Sequence, residues 1–242
     1  MIDMLSAAPH LALMCVVGEP TGLAVAKGHK GKMAARARFT GRAGHSALAP
    51  FAVNALYLAN DFITVLRDVQ ADLQAGGGQD ADYDVPYTTL HVGRISGGGA
   101  LNIVPHHCEL DFEIRNLAQD DPQEILQRLK RAAQQIADTA RTDTPEANVE
   151  IEVFNTYPGL DTPPGAAVVG FVKSLTGANG SYKVAYGTEG GLFNQRLGVP
   201  TVVCGPGDMA QGHKPDEFVS EAQLTACDLM VSNLVARLVE WV

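Results

Sequence analysis

Cys108-Glu109-Leu110-Asp111-Phe112-Glu113-Ile114-Arg115 is an unbroken alternation of apolar and charged side chains. Successive side chains of a strand point to opposite faces, so the pattern predicts a strand with one buried and one solvated face. Working outward, this strand spans about 101–116 and is joined through Gly97-Gly98-Gly99 to another over 87–95. Upstream, Met33, Ala35, Ala37 and Phe39 alternate with Lys32, Arg36, Arg38 and Thr40, a further half-buried strand. Between them Val53, Leu56, Leu58, Phe62, Val65, Leu66 and Leu73 have helical spacing, which predicts a helix over 48–73 with Ser46 as a candidate cap and a stop at Gly76-Gly77-Gly78. Downstream, Asp121, Pro122 and Glu124 form a helix-start signature before Ile125, Leu129, Ala133, Ile136 and Ala140. Val149, Ile151 and Val153 then alternate with Glu150 and Glu152. The order strand-helix-strand-strand-helix-strand predicts a ferredoxin-like α+β module over 29–155, with both helices on the one apolar face of its sheet.

The flanking segments, 1–28 and 156–242, read differently. A short helix near 166–175, a strand near 182–185, a glycine turn at 187–191 and the continuous apolar run Val199 to Cys204 suit an α/β domain with a mainly parallel sheet. The run Leu11 to Val17 is the candidate for an additional strand. In the last helix Ser220 and Gln223 form a capping box, and Leu224, Cys227, Met230, Val231, Leu234, Val235 and Leu238 are expected to face inward. The module is thus expected to be an insertion in a larger domain.

Of the 242 residues, 46% are hydrophobic and 19% charged, enough to bury a sizeable core. A net charge of -9 with scattered Lys and Arg argues against nucleic acid and anionic membrane as partners. Cys15, Cys108, Cys204 and Cys227 lack CxxC spacing and read as reduced and structural. No secretory signal and no membrane-length apolar stretch is legible, which makes the cytoplasm the expected compartment.

Candidate chemistry sits in loops. Glu19 follows an apolar strand, where α/β domains place ligand-binding side chains, although a loop or cap role fits the same spacing. His213 lies in the glycine-rich loop 205–217 and suits metal ligation, with Asp216 or Glu217 available to its other ring nitrogen; a surface histidine is the alternative. His45 stands at a strand-helix junction, as a reactive group or a turn histidine. Asn102, read as a buried amide, either donates to a substrate or satisfies turn carbonyls. His106 and His107, adjacent on a strand, are expected on opposite faces. Glu19 and His213 are two donors, whereas a hydrolytic zinc site usually uses three. No HxDxxP, HExxH, GxSxG or Walker segment is present.

Gly18-Glu19-Pro20-Thr21, Gly44-His45-Ser46-Ala47-Leu48-Ala49-Pro50, Ala100-Leu101-Asn102-Ile103-Val104-Pro105, Asp111-Phe112-Glu113-Ile114-Arg115, Gly187-Thr188-Glu189-Gly190-Gly191 and His213-Lys214-Pro215-Asp216-Glu217 together resemble the two-metal zinc peptidases and amidohydrolases that include acetylornithine deacetylase and succinyl-diaminopimelate desuccinylase. The resemblance implies a catalytic-domain remnant with an inserted lid and dimerisation domain, lacking the amino-terminal part that carries the bridging aspartate, a histidine ligand and the general-base glutamate. It implies two zinc or cobalt ions per complete site, with Glu19 and His213 as ligands of one each and none necessarily bound by this chain. It further implies His45 and Asn102 reaching the partner subunit's site, and Arg115, Thr188, Glu189 and Gly190 near the substrate. The implied substrate is a small acylated amino acid, N-acetyl-L-ornithine in arginine biosynthesis, hydrolysed by a homodimer joined through the lid, with this chain alone inactive. The alternatives are a non-catalytic dimeric binding or regulatory remnant and a related deacylase or peptidase.

Overall fold

A computed structural model of the chain describes residues 12–142, 144–212 and 214–240. In chain order the elements are β1 (Cys15–Val17), β2 (Val25–His29), β3 (Lys32–Thr40), β4 (Gly44–His45), a 3₁₀ helix (Ser46–Phe51), α1 (Ala55–Gly76), β5 (Thr89–Gly97), β6 (Ile103–Val104), β7 (His107–Arg115), α2 (Pro122–Arg141), β8 (Asn148–Tyr157), β9 (Leu160–Asp161), α3 (Ala167–Thr176), β10 (Ser181–Val184), α4 (Gly190–Leu197), β11 (Thr201–Val203) and α5 (Glu221–Glu240). Two compact units emerge. One takes the chain up to Gly31, Ala81–Asp84 and the part from Tyr157 on; the other takes Lys32–Asp80 and Val85–Thr156.

The unit beginning at Lys32 has a four-stranded sheet in the order β5-β7-β3-β8. Strand β7 runs antiparallel to β3, from Met33 opposite Ile114 to Thr40 opposite His107, and antiparallel to β5. In order of appearance the strands lie second, third, first, fourth, the ferredoxin-like arrangement that the element order predicts. Met33, Ala35, Ala37 and Phe39 of β3 and Cys108, Leu110, Phe112 and Ile114 of β7 are buried against Phe62 and Leu66 of α1 and Ile125 and Leu129 of α2. Phe62 meets Phe39 at 5.8 Å and Phe112 at 5.7 Å between ring centroids, the tilted and edge-on geometries that aromatic quadrupoles favour. On the other face, Arg36 grips Asp111 with two bonds of 2.6 and 2.9 Å, and Arg38 reaches Glu109 and Glu152. These are cross-strand pairs on a solvated face.

Two expectations for this unit shift. The helix expected from residue 48 starts at Ala55, because Pro50 has no amide to donate and disfavours helical backbone before it. His45 caps the short 3₁₀ helix instead, while Asn54 Oδ1 accepts from the Leu56 amide at 2.9 Å to start α1. The single strand expected over 101–116 splits into β6 and β7 around Pro105-His106.

The other unit has a sheet in the order β1-β11-β2-β10, with β9 also on β2. Strand β1 is parallel to β11 and β10 is parallel to β2, but β2 is antiparallel to β11 and β9. The sheet is mixed where a mainly parallel one was expected. Residues 18–24 between β1 and β2 are too few for the crossover that a parallel pair requires, and Gly22 and Leu23, with φ of 61° and 62°, reverse the chain. Every residue of β11 is buried, as its continuous apolar run suggests, and every residue of β2 is buried too, Lys27 and His29 included. The strand expected over 11–17 comprises Cys15–Val17, and Leu11 lies outside the described residues. The turn expected at 187–191 is followed directly by an unexpected helix, α4, which starts at Gly190. Helix α5 begins as expected: Ser220 Oγ accepts from the Gln223 amide at 3.3 Å, and the Ser220 amide donates to Gln223 Oε1 at 3.1 Å. Its inward face is narrower than expected, because Met230 is buried with Cys227 and Leu234 against it, while Leu224, Val231, Val235 and Leu238 are exposed. Among the described residues no helix is long and apolar enough to cross a membrane.

Candidate functional site

Candidate site residues fall into two constellations, one in each unit. In the unit that holds β1, the parallel pairing of β1 with β11 puts the carboxyl ends of both strands side by side. The Cys204 amide donates to the Val17 carbonyl at 2.8 Å, and Thr21 clasps Gly205: its amide donates to the Gly205 carbonyl at 3.2 Å, and its Oγ1 accepts from the Gly205 amide at 3.1 Å. A Cβ on Gly205 would lie 2.2 Å from the Gly18 carbonyl oxygen and 2.6 Å from that of Glu19, so the loops touch backbone to backbone. Tyr186 donates to the Pro20 carbonyl at 2.5 Å and Tyr182 to the Thr21 carbonyl at 3.3 Å. Burial above all pushes the Tyr186 hydroxyl pKa upward, with Tyr182, Glu19 and Asp208 adding to it. That contribution places Glu19 within electrostatic reach of Tyr186, a residue whose role periodicity did not reveal.

His213 lies outside the described residues. Its neighbour Gly212 and Glu19's neighbour Pro20 line one open cavity of about 310 Å³, together with Gly207, Asp208, Glu217 and Phe218. The two loops singled out in the sequence therefore meet at one sheet edge. A Cβ on Gly212 would be 3.5 Å from Glu217 Oε1, and Asp216 adopts φ of 61°. Among the described residues no group of three or more His, Cys, Asp or Glu could hold a metal ion. Glu19 by itself falls short of the three protein donors of a hydrolytic zinc centre, so the described residues do not fit a complete one.

Thr188, Glu189 and Gly190 start α4. Thr188 is buried and its Oγ1 accepts from the Gly190 amide at 3.0 Å, a turn-forming bond; Glu189 is exposed. Gly191 packs so closely that a Cβ would sit 2.2 Å from the Pro158 carbonyl oxygen. His29, which the sequence reading did not single out, is fully buried in the same unit. Its Nδ1 lies 3.0 Å from the Lys30 carbonyl, and its Nε2 has no hydrogen-bond partner among the described residues.

In the other unit the short strands β4 and β6 pair, with His45 opposite Ile103, and the Ser46 amide donates to the Asn102 carbonyl at 3.0 Å. The structure thus brings His45 and Asn102 together. Both are exposed, which corrects the expectation of a buried Asn102 amide. His45 Nδ1 accepts from the Ala47 amide at 3.2 Å, so the proton of the neutral ring belongs on Nε2. Beside them an open cavity of about 440 Å³ is lined by Gly97, Gly98, Gly99, Ile103, His106 and His107, among others. His106 precedes β7 rather than lying in it, so strand alternation does not set its direction, and both histidines reach this cavity. Arg115 is elsewhere, at the far end of β7, roughly 27 Å along the strand from His107. Its Nε and Nη2 grip Glu113 at 2.9 and 3.3 Å.

Residues 27–141 match the peptidase dimerisation domain of the M20 family. Over 230 residues the chain is 32% identical to an acetylornithine deacetylase of Myxococcus xanthus, an alignment covering 92% of this chain and 57% of that protein. Its fold is similar to that of aminopeptidase PepT from Bacillus cereus, with a TM-score of 0.73 at 20% identity over 91% of this chain and 56% of that one. An M20 family metallo-carboxypeptidase from Sulfolobus solfataricus aligns with a TM-score of 0.71 at 17% identity, over 96% of this chain and 65% of that one. The chain thus spans a little over half the length of the curated relative.

Proposed function

We propose that this chain, similar to M20 peptidases, forms part of a metal-dependent amide hydrolase of that family that removes the acetyl group from N-acetyl-L-ornithine, a step of arginine biosynthesis. The observation that carries this reading is the 32% identity to an acetylornithine deacetylase across 92% of the chain. On this reading the enzyme is a cytoplasmic homodimer joined through the ferredoxin-like unit, which carries most of the match to the dimerisation domain. Glu19 and His213 would each hold one of two zinc or cobalt ions. Two donors complete neither centre, so these 242 residues assayed by themselves are expected to show no turnover.

His45 and Asn102 are proposed to act on the partner subunit's substrate. With Nδ1 accepting from Ala47, the His45 ring presents an Nε2–H donor suited to the oxygen that gains charge when the amide carbonyl is attacked. The adjacent Asn102 amide offers a second donor. Arg115, Thr188, Glu189 and Gly190 are proposed to hold the substrate's carboxylate and amide, and Arg115 would first release Glu113.

The test is co-expression of this chain with the part of the Myxococcus xanthus deacetylase that it does not span, followed by metal analysis and hydrolysis assays. Activity toward N-acetylornithine that exceeds activity toward N-succinyl-diaminopimelate and dipeptides supports the reading. Preference for another acyl group or a peptide overturns the substrate, and hydrolysis by the 242 residues without that complement overturns the ligand assignment.

A further inference from the structure

Ala81–Asp84 has no regular secondary structure and three of its four residues are exposed, yet it groups with the unit of β2 and β10, while the residues before and after it group with the other. The fourth residue, Tyr83, is 7% exposed. Its ring faces two ammonium groups, Lys30 Nζ at 5.5 Å and Lys183 Nζ at 5.4 Å from the centroid. Both distances fall within cation–π range, where desolvation strengthens the attraction. One residue away, Asp82 pairs with Lys27. Lys27, Lys30 and the Lys183 side chain are each less than a tenth exposed. Buried ammonium groups are costly unless partnered, so this edge is built to receive a ring face and a carboxylate.

The backbone is shaped for that purpose. The register of β10 on β2 shifts between Tyr182 and Lys183, so Lys183 stands opposite Gly28. A Cβ on Gly28 would approach the Lys183 Cδ and Cγ to 3.0 and 3.1 Å, which means the lysine stem crosses β2 where there is no side chain. Its ammonium then meets Asp161 at 2.5 Å as well as the Tyr83 ring.

We infer that Ala81–Asp84 is a latch, a strap within the connector 77–88 that Tyr83 and Asp82 seat on the β2–β10 platform and that can leave without unfolding the platform. Irregular, mostly exposed segments with one buried anchor lie at the low end of local stability, where such opening occurs. Seated, the chain passes between the units four times, at 31–32, 80–81, 84–85 and 156–157. Released, Ala81–Asp84 leaves the β2–β10 edge while the rest of that unit stays folded. This inference stands independently of the proposed reaction.

Hydrogen exchange of the 242-residue chain read by mass spectrometry tests it, on the wild type, Tyr83→Ala and Tyr83→Phe. In Tyr83→Ala, exchange over 77–88 should rise about tenfold or more while peptides covering β2 and β10 keep wild-type protection; Tyr83→Phe, which retains the ring face, should stay near wild type. Unchanged exchange over 77–88 in Tyr83→Ala, or a parallel rise in β2 and β10, overturns the latch; the second result makes Tyr83 an ordinary core residue. If Tyr83→Ala does not fold, Asp82→Asn carries the same comparison, with faster exchange confined to 77–88 as the supporting result and unchanged exchange as the overturning one.

Discussion

His29 shows how a residue of unremarkable sequence context acquires a physical role through burial. It is fully enclosed, with Nε2 unpartnered among the described residues, and burial lowers its pKa from the usual 6.5, against the smaller opposing effects of the Lys30 carbonyl and the Glu189 charge. With a folded pKa below the unfolded one, the unfolded chain takes up the proton first on acidification. Stability is therefore intact above about pH 6.5 and declines below it, by at most about 1.4 kcal/mol per pH unit. Urea unfolding at pH 7.5 and 5.5 should show this loss in the wild type and a smaller one in His29→Leu; equal losses would count against the assignment. His45 presents the opposite case, an exposed side chain whose loss costs little structure. In the complemented enzyme, His45→Ala should lower kcat about 100-fold or more and leave Tm within about 2 °C, as expected for a donor to a developing oxyanion. A matching fall in Tm would make it a turn residue. Glu19 and Asn102 were legible as candidates from position alone. Tyr186 was not, because its hydroxyl contact is with a segment remote in sequence, and His29 was not, because its burial comes from strands β9 and β10 flanking β2.

At the scale of elements, strands β3 and β7 and helix α2 were readable because their period follows their burial, with Ala34 as the one extra buried residue of β3 and Leu126 and Ala137 joining the expected stripe of α2. Helix α1 was readable in type but not in start. Both Ser46 and Asn54 are good cap residues, and the choice fell to Pro50, which interrupts the backbone between them. Asn54→Ala should therefore cost about 1 kcal/mol of stability, whereas Ser46→Ala should stay within about 0.5 kcal/mol. Chemical denaturation of the two variants distinguishes the caps, and a larger loss for Ser46→Ala would reverse the assignment. Helix α4 escaped the sequence reading because the Gly190-Gly191 pair that opens it is a turn signal by composition. It stands there because Gly191 packs against the Pro158 and Gly159 carbonyls, a close approach no other residue permits.

For the whole molecule, α5 has consequences beyond its own packing. Leu229 is 63%, Val235 55% and Val239 70% exposed, an apolar surface larger than scattered single residues would explain. Replacing Leu229 and Val235 by Lys should reduce dye binding and concentration-dependent association of the chain while changing stability by less than about 1 kcal/mol; a large destabilisation would show that these side chains are packed in solution. The sequence by itself determined the ferredoxin-like unit, since alternation and capping are local signals and each strand's buried face is written in its own residues. It also singled out the strand-end loop that holds Glu19, because a polar segment after an apolar run marks a strand end. Tertiary structure alone decided the mixed sheet, the meeting of the Glu19 and Gly205 loops, the pairing of His45 with Ile103 beside Asn102 and the seating of Tyr83. Each depends on contacts between residues far apart in the chain, where partner, register and burial are chosen by packing and leave no periodic trace in either segment.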